Sequence, residues 1–198
     1  MPKIILSYIR AIDAMNRLIG RIAMYLIFVL VGVLLWSSIS KTVFTPSLWT
    51  LETAQFVMVA YYILGGPYSI QLGSNVRMDL FYGSWNLRQK AWIDAFTVFL
   101  LMFYLGVLFY GAISSTAYSL GYFGAEPFAF FGDLLRTLVT EGLGAASEKL
   151  GFLERSPTAW RPYLWPVKTI LCLGVFLMLL QCLAEFFRDL CRLKGEVI

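Results

Sequence analysis

The chain has 198 residues, of which 59% are hydrophobic, 17% aromatic and only 14% charged. Soluble domains carry roughly 25% charged residues, so this composition and a mean hydropathy of +0.72 exclude a water-soluble globule. The formal charge of +4 gathers in segments that flank apolar runs, which points to one face of a membrane protein rather than to a nucleic-acid site.

In chain order, residues 1–21 form a polar leader with helical periodicity. Ile5, Tyr8, Ile9, Ile12, Met15 and Ile19 fall on one side, and Arg10, Asp13, Arg17 and Arg21 on the other. That pattern predicts an amphipathic helix in the inner membrane interface, with Arg10, Arg17 and Arg21 as lipid-headgroup ligands. A docking arm for a partner is a second, compatible use. Residues 22–40 are uncharged and predict the first span. They end in Trp36-Ser37-Ser38-Ile39 rather than in a small-residue cleavage site, so the segment reads as a span and not as a signal peptide.

Residues 53–75 predict the second span. The run opens after Trp49-x-x-Glu52 and carries Gly65-Gly66-Pro67 in its interior. A bilayer core needs about 20 mostly apolar residues, which this uncharged stretch supplies. The Gly-Gly-Pro reads first as a packing kink: Pro67 deletes one helical hydrogen bond, and glycines allow helices to approach closely. A broken helix that binds an ion through backbone carbonyls is the sharper alternative, but such sites come with a matching repeat, and none is present.

Residues 76–94 predict a cytoplasmic loop. Gly73 precedes it, followed by Val76-Arg77-Met78-Asp79. Arg77 and Asp79 stand two apart and so would not face each other on a helix. Each is expected to meet a headgroup, a helix end or another subunit. Asn86 is placed to cap a helix starting at Leu87, with Arg88 and Lys90 as further headgroup candidates.

Residues 95–123 predict the third span, and residues 124–166 an outer loop far longer than an ordinary connection. Within it Leu134, Leu135, Leu138, Val139 and Leu143 form an apolar stripe, opposed by Asp133, Arg136, Thr137, Thr140 and Glu141. The stripe predicts either an interfacial helix packed on the bundle or an external docking surface with Asp133, Arg136 and Glu141 as contacts. Residues 167–187 predict the fourth span, with Lys168 snorkelling from its outer end, and 188–198 a tail.

Lys3, Arg10, Arg17 and Arg21 in the leader, Arg77, Arg88 and Lys90 in the loop, and Arg188, Arg192 and Lys194 in the tail lie on one side. The positive-inside rule then places both termini in the cytoplasm. Trp36, Trp49, Trp160 and Trp165 fall near the outer boundary and Trp85 and Trp92 near the inner one, where amphipathic rings anchor. The expected fold is therefore all-α: a multi-pass membrane domain over 1–198 with four transmembrane helices and interfacial amphipathic helices.

Chemistry is sparse. The chain has no histidine, and Cys172, Cys182 and Cys191 form no Cys-x-x-Cys pair. No catalytic, cofactor or metal site is predicted. Glu52, Asp94 and Glu185 sit near span ends, and no ionisable residue sits mid-span, where an ion or proton pathway would need one. A self-contained small transporter would require a polar residue within a span to line its pathway. Gln55 and Gln181 are the large polar side chains within spans two and four, and these usually bridge helices. A membrane-bound enzyme would require redox pairs or clustered acids, which the sequence lacks.

Trp49-x-x-Glu52, Leu64-Gly65-Gly66-Pro67-Tyr68, Leu72-Gly73 and Val76-Arg77-Met78-Asp79 together resemble the small (Q-type) membrane subunit of a tripartite ATP-independent periplasmic (TRAP) transporter. Asn75 departs from the histidine common in that family before the Val-Arg pair. The resemblance implies a non-enzymatic scaffold in the bacterial inner membrane. It would support a large membrane subunit that moves substrate on a sodium gradient, and help dock a periplasmic binding protein for organic acids. Trp49, Glu52, Gly65, Gly66, Pro67, Gly73, Arg77 and Asp79 are then the subunit-interface or structural candidates, with membrane lipids as the other partner and no cofactor.

Overall fold

A computed structural model describes residues 3–73 and 86–193. Among the described residues it forms six helices: α1 (Lys3–Val43), α2 (Thr50–Gln71), α3 (Leu87–Ser119), α4 (Pro127–Thr140), α5 (Gly142–Glu148) and α6 (Trp165–Leu193). The extended contact among them is an isolated antiparallel bridge between Arg155 and Tyr163.

The separate leader and first span expected at 1–21 and 22–40 are one helix of 41 residues. At 1.5 Å per residue α1 is about 60 Å long, roughly twice a bilayer core. Its continuity follows from the sequence, which has no proline between Pro2 and Pro46. Gly20 and Gly32 each cost only about 1 kcal/mol of helix propensity.

Among the described residues, three helices are long and apolar enough to cross a membrane, within Ile4–Val43, Phe96–Ser119 and Trp165–Cys191. The expected fourth, α2, has 22 residues and reaches about 33 Å, but Gln55, Tyr61, Tyr62, Gly65, Gly66, Pro67 and Gln71 dilute its apolar character. Its end is well defined. Gly73 adopts φ +61° and donates to the Ile70 carbonyl at 3.0 Å, the left-handed residue that commonly stops a helix. α3 begins immediately after Asn86, whose carbonyl accepts from Lys90 N at 3.0 Å.

The chain divides into two compact units. The first comprises Met1–Tyr25, Tyr61–Leu108 and Gly174–Ile198. Here the Gly-Gly-Pro of α2 meets α6. Pro67 has no N–H to give the Ile63 carbonyl four residues earlier. Gly174 of α6 lies directly against Ile63, so close that an added Cβ would overlap the Ile63 Cγ2 and stand 3.0 Å from that carbonyl oxygen. Gly66 faces Met178, whose Sδ would lie 2.9 Å from a Cβ, whereas Gly65 opens onto empty space. Gly20 of α1 receives the Tyr68 side chain in the same manner. Small residues thus set the helix approach, as they do where lipid tails supply no hydrophobic drive between helices.

The second unit comprises Leu26–Ala60 and Phe109–Leu173. Most of its buried residues are also small: Ala54, Ala60, Ala112, Ala117 and Ala146, with Ser40, Thr50, Thr116 and Ser119. Residues 120–164 fold back onto the end of α3. Gly151 N donates to the Leu120 carbonyl (3.0 Å) and Glu154 N to the Ser119 carbonyl (3.1 Å), satisfying acceptors that a helix C-terminus leaves open. Ser156 N to the Pro162 carbonyl (2.9 Å) and Leu164 N to the Glu154 carbonyl (3.2 Å) close a short hairpin around the Arg155–Tyr163 bridge. Its turn holds Arg161 at φ +52°.

Candidate functional site

Polar side chains inside each unit tie helices together. In the first unit, Ile9, Asn16 and Ala23 are all buried and stand seven residues apart, so two turns of α1 separate each from the next on one face. Asn16 therefore faces α6. Its Nδ2 donates to Gln181 Oε1 at 2.7 Å. Gln181, wholly buried, donates through Nε2 to Asp13 Oδ1 and to Glu185 Oε1, both at 3.1 Å. Arg188 completes the cluster, donating to both carboxylates through separate guanidinium nitrogens. Tyr8 adds a hydrogen bond to the Leu180 carbonyl at 3.1 Å and an edge-on contact with Phe187.

This arrangement corrects one expectation. Asp13, assigned above to the headgroup-facing side of the leader, is only 17% exposed and bound to α6, because Arg188 and Gln181 stand opposite it. Arg10, Arg17 and Arg21 remain exposed, and with Ala14, Leu18 and Asp13 they line an open groove along α1. Gln181 does bridge helices, whereas Gln55 is exposed.

In the second unit the join is made at Glu52, in the first turn of α2, where a helix N-terminus favours negative charge. The carboxylate is 4% exposed. Its Oε1 accepts from Ser156 Oγ at 2.6 Å and from Thr158 Oγ1, both in the hairpin, while Oε2 has no partner among the described residues. A hydroxyl relay of Ser37, Thr50, Ser47 and Ser40 links the end of α1 to the start of α2 at 3.1–3.2 Å. Lys168, expected to snorkel, instead ion-pairs with Glu154 at 2.5 Å and lies over the Tyr118 ring.

Of the remaining candidates, Trp49 is 39% exposed and its carbonyl accepts from Thr53 N at 3.0 Å. Asp133, Arg136 and Glu141 are exposed on or just after α4. Lys90 is half-buried and engaged. Arg77, Asp79 and the Arg88 side chain lie outside the described residues. Sequence reasoning did not single out Asn16, Ser156 or Thr158, and counted Arg188 only among the basic residues of the tail. The seven-residue step Ile9–Asn16–Ala23 is a signal that marks Asn16 as core-facing. Nothing local marks Ser156 or Thr158, which meet Glu52 across 104 and 106 residues.

Large apolar side chains cover the outside. Phe28 on α1 and Phe103 on α3 are 72% and 70% exposed, and Tyr25, Leu35, Tyr104 and Val107 are comparable. Soluble monomers rarely expose so many large apolar side chains; acyl chains or a membrane partner would cover them. The three cysteines are free thiols. The polar groups of both clusters are committed mainly to holding helices.

A family model described as "Tripartite ATP-independent periplasmic transporters, DctQ component" matches residues 30–192. No curated protein and no solved structure matches the chain.

Proposed function

Because this chain belongs to the DctQ-component family of tripartite ATP-independent periplasmic transporters, we propose that it is the non-transporting scaffold of such a system, bracing the large membrane subunit during sodium-coupled uptake of an organic acid. The family is one of transporter components rather than enzymes, and the chain is a membrane protein with at least three helices fit to span. In this reading α2 is the fourth span, since no charged residue lies between Thr53 and Gln71. Both termini then lie in the cytoplasm of a bacterium, and the loop 124–166 faces the periplasm.

The observation that carries the scaffold role is the fate of Gln181. The most deeply buried large polar side chain spends its bonds on Asn16, Asp13 and Glu185, while the apolar exterior stays broad. A carrier would present such a group to solute; a brace uses it to fix helices. Glu52, Gly66 and Pro67 serve as internal supports. Trp49, Gly65, Gly73, Arg77 and Asp79 contact the large subunit, and Arg10, Arg17, Arg21, Arg88 and Lys90 contact anionic headgroups. Asp133, Arg136 and Glu141 help dock the periplasmic binding protein.

The docking assignment is tested by reversing the three charges together (Asp133→Lys, Arg136→Glu, Glu141→Lys). These side chains are exposed, so membrane abundance should not change. The concentration of binding protein that gives half-maximal uptake should rise severalfold. An unchanged value removes these residues from the docking surface.

A further inference from the structure

We propose that α4 is a membrane-immersed helix whose apolar flank lies among lipid acyl chains. From the preceding reading this takes only that α3 crosses the bilayer.

The argument begins with three faces on one short helix. At 100° per residue, Pro127, Phe130, Leu134 and Thr137 fall on one side of α4. Pro127 and Thr137 are buried, and Phe130 and Leu134 are half-buried, so this side packs on the unit. Asp133, Arg136 and Thr140 fall on a second side, polar and exposed. Phe128, Leu135 and Val139 fall on a third, where they are 53%, 59% and 84% exposed. The helix therefore spends its own packing on one face and leaves an aliphatic face and a polar face open on its two flanks. An apolar flank beside a polar one is what a helix at a lipid–water boundary requires. Protein-binding anchors favour Trp, Tyr and Arg, whereas Leu135 and Val139 are the side chains that lipid accepts at least cost.

Position supplies the second argument. The Phe128 ring packs on Tyr110 of α3, with centroids 6.0 Å apart. Tyr110 is nine residues before Ser119, the last residue of α3, which is about 13 Å back along the helix. Helical side chains lean toward the N-terminus, so the contact lies no nearer the end of α3 than Tyr110 itself. The chain thus leaves α3, turns through 120–126 and brings the first turn of α4 back to the Tyr110 ring. Tyr110 is 53% exposed, and Tyr118 is 51% exposed with Phe123 edge-on against it. The outward face of α3 therefore continues across Phe128 onto Leu135 and Val139. Trp160, Tyr163 and Trp165, all exposed in the same unit, are side chains that favour the headgroup level. Immersion of one flank leaves Asp133, Arg136 and Thr140 turned to water.

The test uses the whole transporter in proteoliposomes. Cys172, Cys182 and Cys191 are replaced, and single cysteines at Leu135, Val139, Asp133 or Thr140 carry a nitroxide. Collision with oxygen, which concentrates in lipid, is compared with collision with a water-soluble nickel complex. Labels at 135 and 139 should favour oxygen severalfold, and labels at 133 and 140 the nickel complex. Nickel access at 135 and 139 would put that flank in water, and shielding from both reagents would put it against protein; either result overturns the proposal. Should the cysteine-free background fail to assemble, a benzophenone side chain at 135 or 139 in the native background gives the same decision. Crosslinks to lipid support immersion, and crosslinks to polypeptide, or none to lipid, contradict it. Labelling of Thr140→Cys by an impermeant thiol reagent from one side or the other decides topology separately, since immersion holds in either leaflet.

Discussion

Replacing Arg188 with methionine lowers the unfolding free energy of the protein by about 3 kcal/mol, measured by denaturant titration in mixed micelles. The guanidinium bonds Asp13 and Glu185 together, and those carboxylates are 17% and 18% exposed. Methionine keeps the apolar stem of the side chain and removes the guanidinium, leaving two anions beside Gln181 without the cation that bonds them. Breaking a buried ion pair by removing one partner costs about 3–5 kcal/mol, and the partial exposure of these carboxylates places the expected loss at the lower end. The expected companion result is recovery. Asp13→Asn and Glu185→Gln added to Arg188→Met remove the stranded charges and restore most of the loss, because a neutral cluster of similar volume is often as stable as the ionic one. A stable single variant, or a triple variant no better than the single, would show that the cluster does not hold α1 to α6.

Gly174→Leu produces the second large effect, a loss of membrane abundance and uptake together. The cause is geometric. A Cβ at Gly174 overlaps the Ile63 side chain and stands 3.0 and 3.1 Å from the Ile63 carbonyl oxygen and carbon, so backbone must move. Overpacking of this kind costs about 1–3 kcal/mol and more when no flexible side chain can yield. Gly174→Ala should already be measurably destabilised. Gly65→Ala is the contrast: a Cβ there meets nothing within 4 Å, so abundance should stay near that of the unchanged protein. Equal tolerance at both positions would remove the close α2–α6 crossing from the account.

These two sites show what the sequence exposes and what it hides. The helix stretches were legible because uncharged runs between basic clusters are a one-dimensional signal, and Asn86 marked a helix start by local chemistry. Gly65-Gly66-Pro67 was legible as a packing device, but not which glycine packs; Met178 and Ile63 decide that, and no spacing in α2 encodes them. The leader was read from its arginines as a separate surface helix. Its charged face in fact divides, with Arg10, Arg17 and Arg21 outward and Asp13 inward. Period alone could not divide it, because the partner of Asp13 lies 175 residues away. The α4 stripe failed for a related reason. Leu134 and Leu135 are adjacent in the sequence pattern, yet one is half-buried and the other exposed, with Thr137 taking a buried place. Amphipathic periodicity reports that faces differ; the surrounding chain decides which face is covered.

The scaffold role is tested most directly by reconstitution into sodium-free liposomes diluted into sodium buffer. This chain alone, the large membrane subunit alone and the two together are each supplied with the binding protein and labelled substrate. The account predicts uptake by the pair and none by this chain alone at any sodium gradient. Gradient-driven uptake by liposomes holding only this chain would contradict it.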